Sequence, residues 1–186
     1  MKSLSALFFL LLSASVAHAD WDVDQLMRAL AANGAKRAAF TETRYLALLD
    51  QPLVVSGELV YVPPDRLERH ATQPVEESMV LDGERLRLTR EGKSHELGLR
   101  DYPEVAALIG AIRAALAGER AALERDYALS ISGDRARWRL NLLPNNTALA
   151  QIVLRIDLSG SEGHIEGVDV LQADGDRSEM RIAPRQ

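Results

Sequence analysis

The sequence predicts an α+β fold in which one large, curved antiparallel sheet or barrel carries helices on its concave face. Three observations lead there. About eleven short segments alternate apolar and polar residues, and tight-turn signals separate them. Two other stretches switch to a helical period, and each has one apolar stripe that must be buried against the sheet. The 186 residues are 47% hydrophobic and 26% charged, too apolar for a disordered chain and long enough to bury a core.

The elements follow in order. Residues 22–32 read as a helix, because Val23, Leu26, Met27 and Leu30 fall at i, i+3, i+4 and i+7. Asn33-Gly34 stops it. Strand patterns cover 39–49, 53–62, 66–73, 78–81 and 85–90, with a sixth at 95–99. Asp82-Gly83 between the fourth and fifth is a two-residue hairpin signal. The period then changes. Pro103 opens a helix over 104–117, striped by Val105, Leu108, Ile109, Ile112 and Leu116, and Gly118 ends it. Residues 119–125 form a shorter helical piece. Strands resume at 127–132, 135–143, 149–158, 165–172 and 177–182, the last two joined by Asp174-Gly175. No repeat, linker or low-complexity tract divides the chain, so residues 20–186 are expected to form one domain.

The first 19 residues read as a secretory signal. Lys2 supplies the positive start, residues 4–16 are apolar, and Ala17-His18-Ala19 matches the small-x-small cleavage pattern. The run is too short to span a membrane, and a bacterial periplasm is the expected destination of the cleaved chain. Cysteine is absent, which excludes disulfides, thiolate catalysis and cysteine metal sites. His70, His95 and His164 have no helical i, i+4 partner, so no zinc site is expected. Neither a Gly-x-Ser-x-Gly frame nor a phosphate-binding glycine loop occurs, and no cofactor is expected. The net charge of −5 argues against general nucleic-acid binding.

These residues present no catalytic constellation. The strands offer aliphatic faces in excess. The lining candidates are Leu59, Tyr61, Leu67, Met79 and Leu81, then Leu86 and Leu88. In the second half they are Trp138, Leu140, Leu142, Ile152, Leu154, Ile156, Met180 and Ile182. Read one by one, these residues fit a core beneath the helices better than a cavity wall, since most apolar strand residues are core. Aromatics are few after the leader, and Leu, Ile, Val and Ala dominate, which suits an acyl chain needing volume rather than ring geometry. Leu108, Ile109, Ile112 and Leu116 make the middle helix either a lid, with Gly110 interrupting it, or a permanently docked helix. Arg69 falls on an apolar face, where a charge is costly unless paired. It meets a carboxylate, Glu42 or Glu58 among the possibilities, or an anionic ligand group, unless a register slip turns it outward.

The stretch YVPPDRLERHATQPVEESMVLDG, from Tyr61 to Gly83, resembles the central segment of the LolA-type outer-membrane lipoprotein carriers: a strand, a Pro, an alternating strand, T-Q-P, and a strand ending in D-G. Phe40-Thr41-Glu42 is similar to the family's F-T-Q, and Asp174-Gly175-Asp176-Arg177-Ser178 to its acidic-polar turn followed by R-S. The resemblance implies an incomplete, strongly curved antiparallel β-barrel of about eleven strands around a hydrophobic cavity, with helices as its cover. It also implies a monomeric periplasmic carrier that takes acylated cargo, a lipoprotein or other lipid, from an inner-membrane exporter to an outer-membrane acceptor. Two features depart from the family pattern. Val62 stands where a basic residue usually helps hold the lid, and Leu67, Arg69 and Ala71 replace bulkier apolar or aromatic residues. They imply a divergent member. The other classes considered are a lipid-sensing regulatory module on the same fold and a lipid-ester hydrolase.

Overall fold

A computed structural model describes residues 21–184. The expected signal segment, 1–19, lies outside the described residues. The first helix, α1, spans Val23–Ala31, and the Asp22 carboxylate caps it by accepting the Gln25 N–H at 2.7 Å. Six strands follow: β1 (Lys36–Tyr45), β2 (Leu53–Val62), β3 (Arg66–Gln73), β4 (Glu77–Asp82), β5 (Arg85–Arg90) and β6 (Lys93–Gly98). Two helices interrupt them, α2 (Pro103–Ala117) and α3 (Arg120–Asp126). The second set contains β7 (Tyr127–Asp134), β8 (Arg137–Pro144), a short α4 (Thr147–Ala150), β9 (Val153–Ser161), β10 (His164–Gln172) and β11 (Arg177–Pro184).

All eleven strands form one antiparallel sheet in the order β6-β5-β4-β3-β2-β1-β11-β10-β9-β8-β7. Each half is a meander of neighbouring strands, and β1 joins the two by pairing with both β2 and β11. The sheet does not close, and β6 and β7 are its edges. The chain between those edges is the helical segment that carries α2 and α3.

The main core lies where the helices meet β7, β8 and β9. Trp138, Leu140, Leu142, Ile156 and Leu158 project from the sheet into it, and Leu26, Met27 and Leu30 of α1 and Ala111, Ala114 and Ala115 of α2 cover them. The alanines let α2 approach closely. Gly118 fixes the end of that helix: it adopts φ 71°, and a Cβ there would stand 2.4 Å from the Met27 carbonyl oxygen. Only glycine satisfies both the left-handed cap and the contact with α1.

Three sequence expectations shift. The first strand begins at Lys36 and ends at Tyr45 rather than covering 39–49. Residues 46–49 are apolar enough to read as strand, yet they form the turn into β2, and Leu48 is 97% exposed. The strand expected at 135–143 starts later, because the Asp134 carboxylate accepts the N–H groups of Ala136 and Arg137 and builds a turn. The strand expected at 149–158 is a cap, one helical turn and then β9. Asn146 caps α4 by accepting the Leu149 N–H at 2.8 Å. Within β9, Arg155 pairs with Leu171 and Val153 with Gln172, which leaves Leu154 in a bulge. One extra residue reverses the alternation, so Val153 is buried with Ile156 while Leu154 is exposed; Ile152, also exposed, belongs to the turn before β9.

Candidate functional site

On the other side of β1 the concave face is not filled. A cavity of about 590 Å³ remains between the sheet and α2. Its walls come from β1 to β4 on one side and from β10 and β11 on the other, and Leu108, Ile109, Ile112 and Leu116 of α2 form its roof. The register shows why these side chains converge. Ala38 pairs with Leu59, Tyr61 with Leu67, Leu67 with Leu81, and Arg69 with Met79, which puts all of them on the inward face. The small Ala38 on β1 leaves space that a larger residue would occupy. The stripe of alanines carries α2 onto α1 and the β7–β9 arm, so the helix roofs this side without packing down into it.

The polar groups within the hollow are mostly paired. Arg69 is 8% exposed, and its guanidinium donates to the Glu42 carboxylate at 2.8 Å and to Glu77 at 3.3 Å. It lies over the Phe40 ring, 4.8 Å from the centroid. Arg44 reaches Glu42 from the other side at 2.9 Å. Arg69 therefore faces inward and meets a carboxylate, as the first reading of that residue expects. Glu58, the other carboxylate considered, pairs instead with Arg37 at 2.8 Å. The Lys36 amine also borders the cavity and donates to the Gly163 carbonyl at 3.2 Å. Partial burial lowers its pKa.

Residues 14–183 match the family model of the outer membrane lipoprotein carrier proteins, LolA-like. The chain belongs to this family. No curated protein matches the sequence. Similar solved structures include a LolA superfamily protein from Nitrosomonas europaea, 10% identical, covering 88% of this chain and 92% of that one with a TM-score of 0.47. LprF from Mycobacterium bovis is 12% identical, with coverages of 87% and 91% and a TM-score of 0.38. The MucA/MucB complex of Pseudomonas aeruginosa is 13% identical, with coverages of 88% and 57% and a TM-score of 0.39.

In this LolA-like chain, Leu59, Tyr61, Leu67, Arg69, Met79, Leu81, Met180 and Ile182 border the cavity, as do all four α2 residues named from the sequence. The remaining lining candidates lie elsewhere. Leu86 and Leu88 pack with Leu81, Leu99 and the start of α2 in a cluster of their own. Trp138, Leu140, Leu142 and Ile156 belong to the solid core beneath the helices. Leu154 is turned out by the β9 bulge, and Ile152 lies exposed in the turn between α4 and β9. Tyr127 is in that core too, where burial pushes its phenol up to about 12. Val62 is 40% exposed and pairs with Arg66 at the end of β2. Arg113 ties α2 to the sheet from the helix side, donating to the Gly83 carbonyl in the β4–β5 turn at 3.2 Å.

The sequence reading missed Val168, Val170 and Ser178, which border the hollow from β10 and β11, and also Ala38 and Lys36 on β1. Val168 and Val170 alternate visibly within the strand at 165–172. Lys36 had no such signal, because the expected strand started three residues after it.

Proposed function

We propose that this chain is a periplasmic carrier that holds an acyl chain of a lipoprotein or other lipid in the cavity and moves it from inner to outer membrane without chemical change. The observation that supports this reading is the hollow itself. Its volume of about 590 Å³ falls in the range of roughly 300–1,000 Å³ usual for ligand pockets, and its walls and roof are mainly aliphatic. Such a space answers the energetic problem of the cargo. Each CH₂ costs roughly 0.8 kcal/mol to expose, so a chain of about sixteen carbons resists leaving a bilayer by on the order of 12 kcal/mol. A carrier has to offset most of that with its own apolar surface.

Loading requires a way in. The α2 roof is anchored at its C-terminal end by Gly118 against α1. Gly110 lies in the middle of the helix, and a Cβ there would meet nothing within 4 Å, so packing does not demand glycine at that position. To admit cargo, the N-terminal half of α2 leaves its seat on Leu81, Leu86 and Leu99, with Gly110 as its weak point. Handover needs an inner-membrane exporter and an outer-membrane acceptor, and a monomer is the species that travels.

The test has two steps. Gentle-ionisation mass spectrometry of protein isolated from its own periplasm is expected to show a lipid-sized mass released on collisional activation. Loaded protein is then expected to deliver a fluorescent acylated peptide to acceptor vesicles. A ligand-free protein that takes up no acylated molecule would overturn the proposal.

A further inference from the structure

The charges around the cavity divide into those already neutralised and one that is not. Four basic and two acidic side chains border the hollow, in a chain whose net charge is −5. Arg37 pairs with Glu58, Arg44 with Glu42, and Arg69 with both Glu42 and Glu77. Lys36 has no carboxylate partner among the described residues. Its one hydrogen bond goes to the Gly163 carbonyl, which also accepts the Asn33 amide at 2.7 Å. An ammonium carries three donors, so two of Lys36's have no partner among the described residues. The β1 register places Lys36 opposite Tyr61 on the inward face, beside the turn that leaves α1. A half-buried cation next to an aliphatic hollow is costly for folding unless something neutralises it, and burial alone lowers its pKa here.

We propose that Lys36 is the headgroup anchor of the cavity: an anionic oxygen group, carboxylate or phosphate, at the end of the bound chain docks on its amine at the α1–β1 end of the hollow. This rests on the carrier reading and deepens it, because it assigns the cargo an acidic headgroup and gives the chain a direction within the cavity. The opposite end is already balanced, since the Arg44–Glu42–Arg69–Glu77 set carries two cations and two carboxylates. Among the described residues only the Arg69 Nε–H lacks a partner there, and the two carboxylates already neutralise the two cations an anion would need. At Lys36 no carboxylate of the described residues is in place.

Three probes with the same chain separate headgroup from tail: palmitate, hexadecyl phosphate and hexadecanol. They are titrated into wild type, Lys36→Met and Lys36→Arg, with inorganic phosphate alone as a fourth ligand. Wild type is expected to bind the two anionic probes about tenfold or more tightly than the alcohol. Lys36→Met is expected to hold hexadecanol as wild type does while its preference falls to about twofold or less, and Lys36→Arg to keep the preference. Inorganic phosphate is expected not to bind, since the chain supplies most of the affinity. The tighter of the two anions identifies the headgroup as carboxylate or phosphate. Retained hexadecanol binding in Lys36→Met excludes misfolding as the cause of a lost preference. An undiminished preference in Lys36→Met, or none in wild type, would overturn the anchor and leave the carrier standing. Failure of all three chain-bearing probes to bind wild type would overturn both.

Discussion

Leu140 on β8 and Leu59 on β2 both point to the concave side of one sheet, yet their surroundings differ. Leu140 is 0% exposed, pressed among Trp138, α1 and the alanines of α2. Leu59 borders the hollow. The strands of the two arms are alike in composition. What differs is the cover. Two helices and part of a third pack down on β7–β9, whereas a single face of α2 bridges β1–β4, β10 and β11. An apolar strand face therefore specifies only that something greasy must cover it. In one arm the chain supplies that cover itself, and in the other it leaves room.

The largest effects should appear where the arms differ in packing. Leu140→Ala is expected to cost about 3–5 kcal/mol of stability, the upper part of the range for a buried leucine, because no neighbour can collapse into the space. Leu59→Ala is expected to cost about 1 kcal/mol or less, since it enlarges a void that already exists. Urea unfolding midpoints measure both, and equal losses would erase the distinction between the arms. Next comes the buried charge set in the hollow arm. Glu42→Gln leaves Arg69 with Glu77 alone and is expected to cost about 3 kcal/mol, and Glu42→Leu combined with Arg69→Met is expected to recover most of it. A double-mutant cycle by chemical denaturation checks this, and additive losses would show that the pair is not a unit.

Smaller effects concern the roof that the arms share. Gly118→Ala imposes a Cβ on a left-handed residue against the Met27 carbonyl, and about 1–3 kcal/mol should be lost. Gly110→Ala should instead stabilise α2 by roughly 0.5–1 kcal/mol, because the new methyl meets open space and the helix gains propensity. The same change should slow uptake of a fluorescent fatty acid in stopped-flow mixing. Unchanged uptake would remove Gly110 as the hinge.

Turn chemistry and alternation made much of this fold legible. The bounds of β2, β3 and β5 follow directly from Pro63-Pro64, the T-Q-P turn and Asp82-Gly83. The inward direction of Arg69 was readable for the same reason. Leu154 was not, because a bulge adds one residue without any turn signal and inverts every assignment N-terminal to it. Trp138, Leu140 and Leu142 were correctly read as inward-facing, but inward meant core rather than cavity. That outcome depends on where α1 and α2 land, which no strand pattern records. Lys36 escaped because Lys36-Arg37 looks like a polar loop until pairing with Tyr61 and Val60 makes it strand.

The central claim is that the β1 side of the interior is kept empty for a guest. Titration of a dansyl-labelled fatty acid into wild type and into Ala38→Trp, which fills the hollow from β1, tests it most directly. Saturable binding of one molecule by wild type, with a blue-shifted emission that Ala38→Trp abolishes while remaining folded, is the predicted result. Equal binding by both proteins, or none by either, would contradict it.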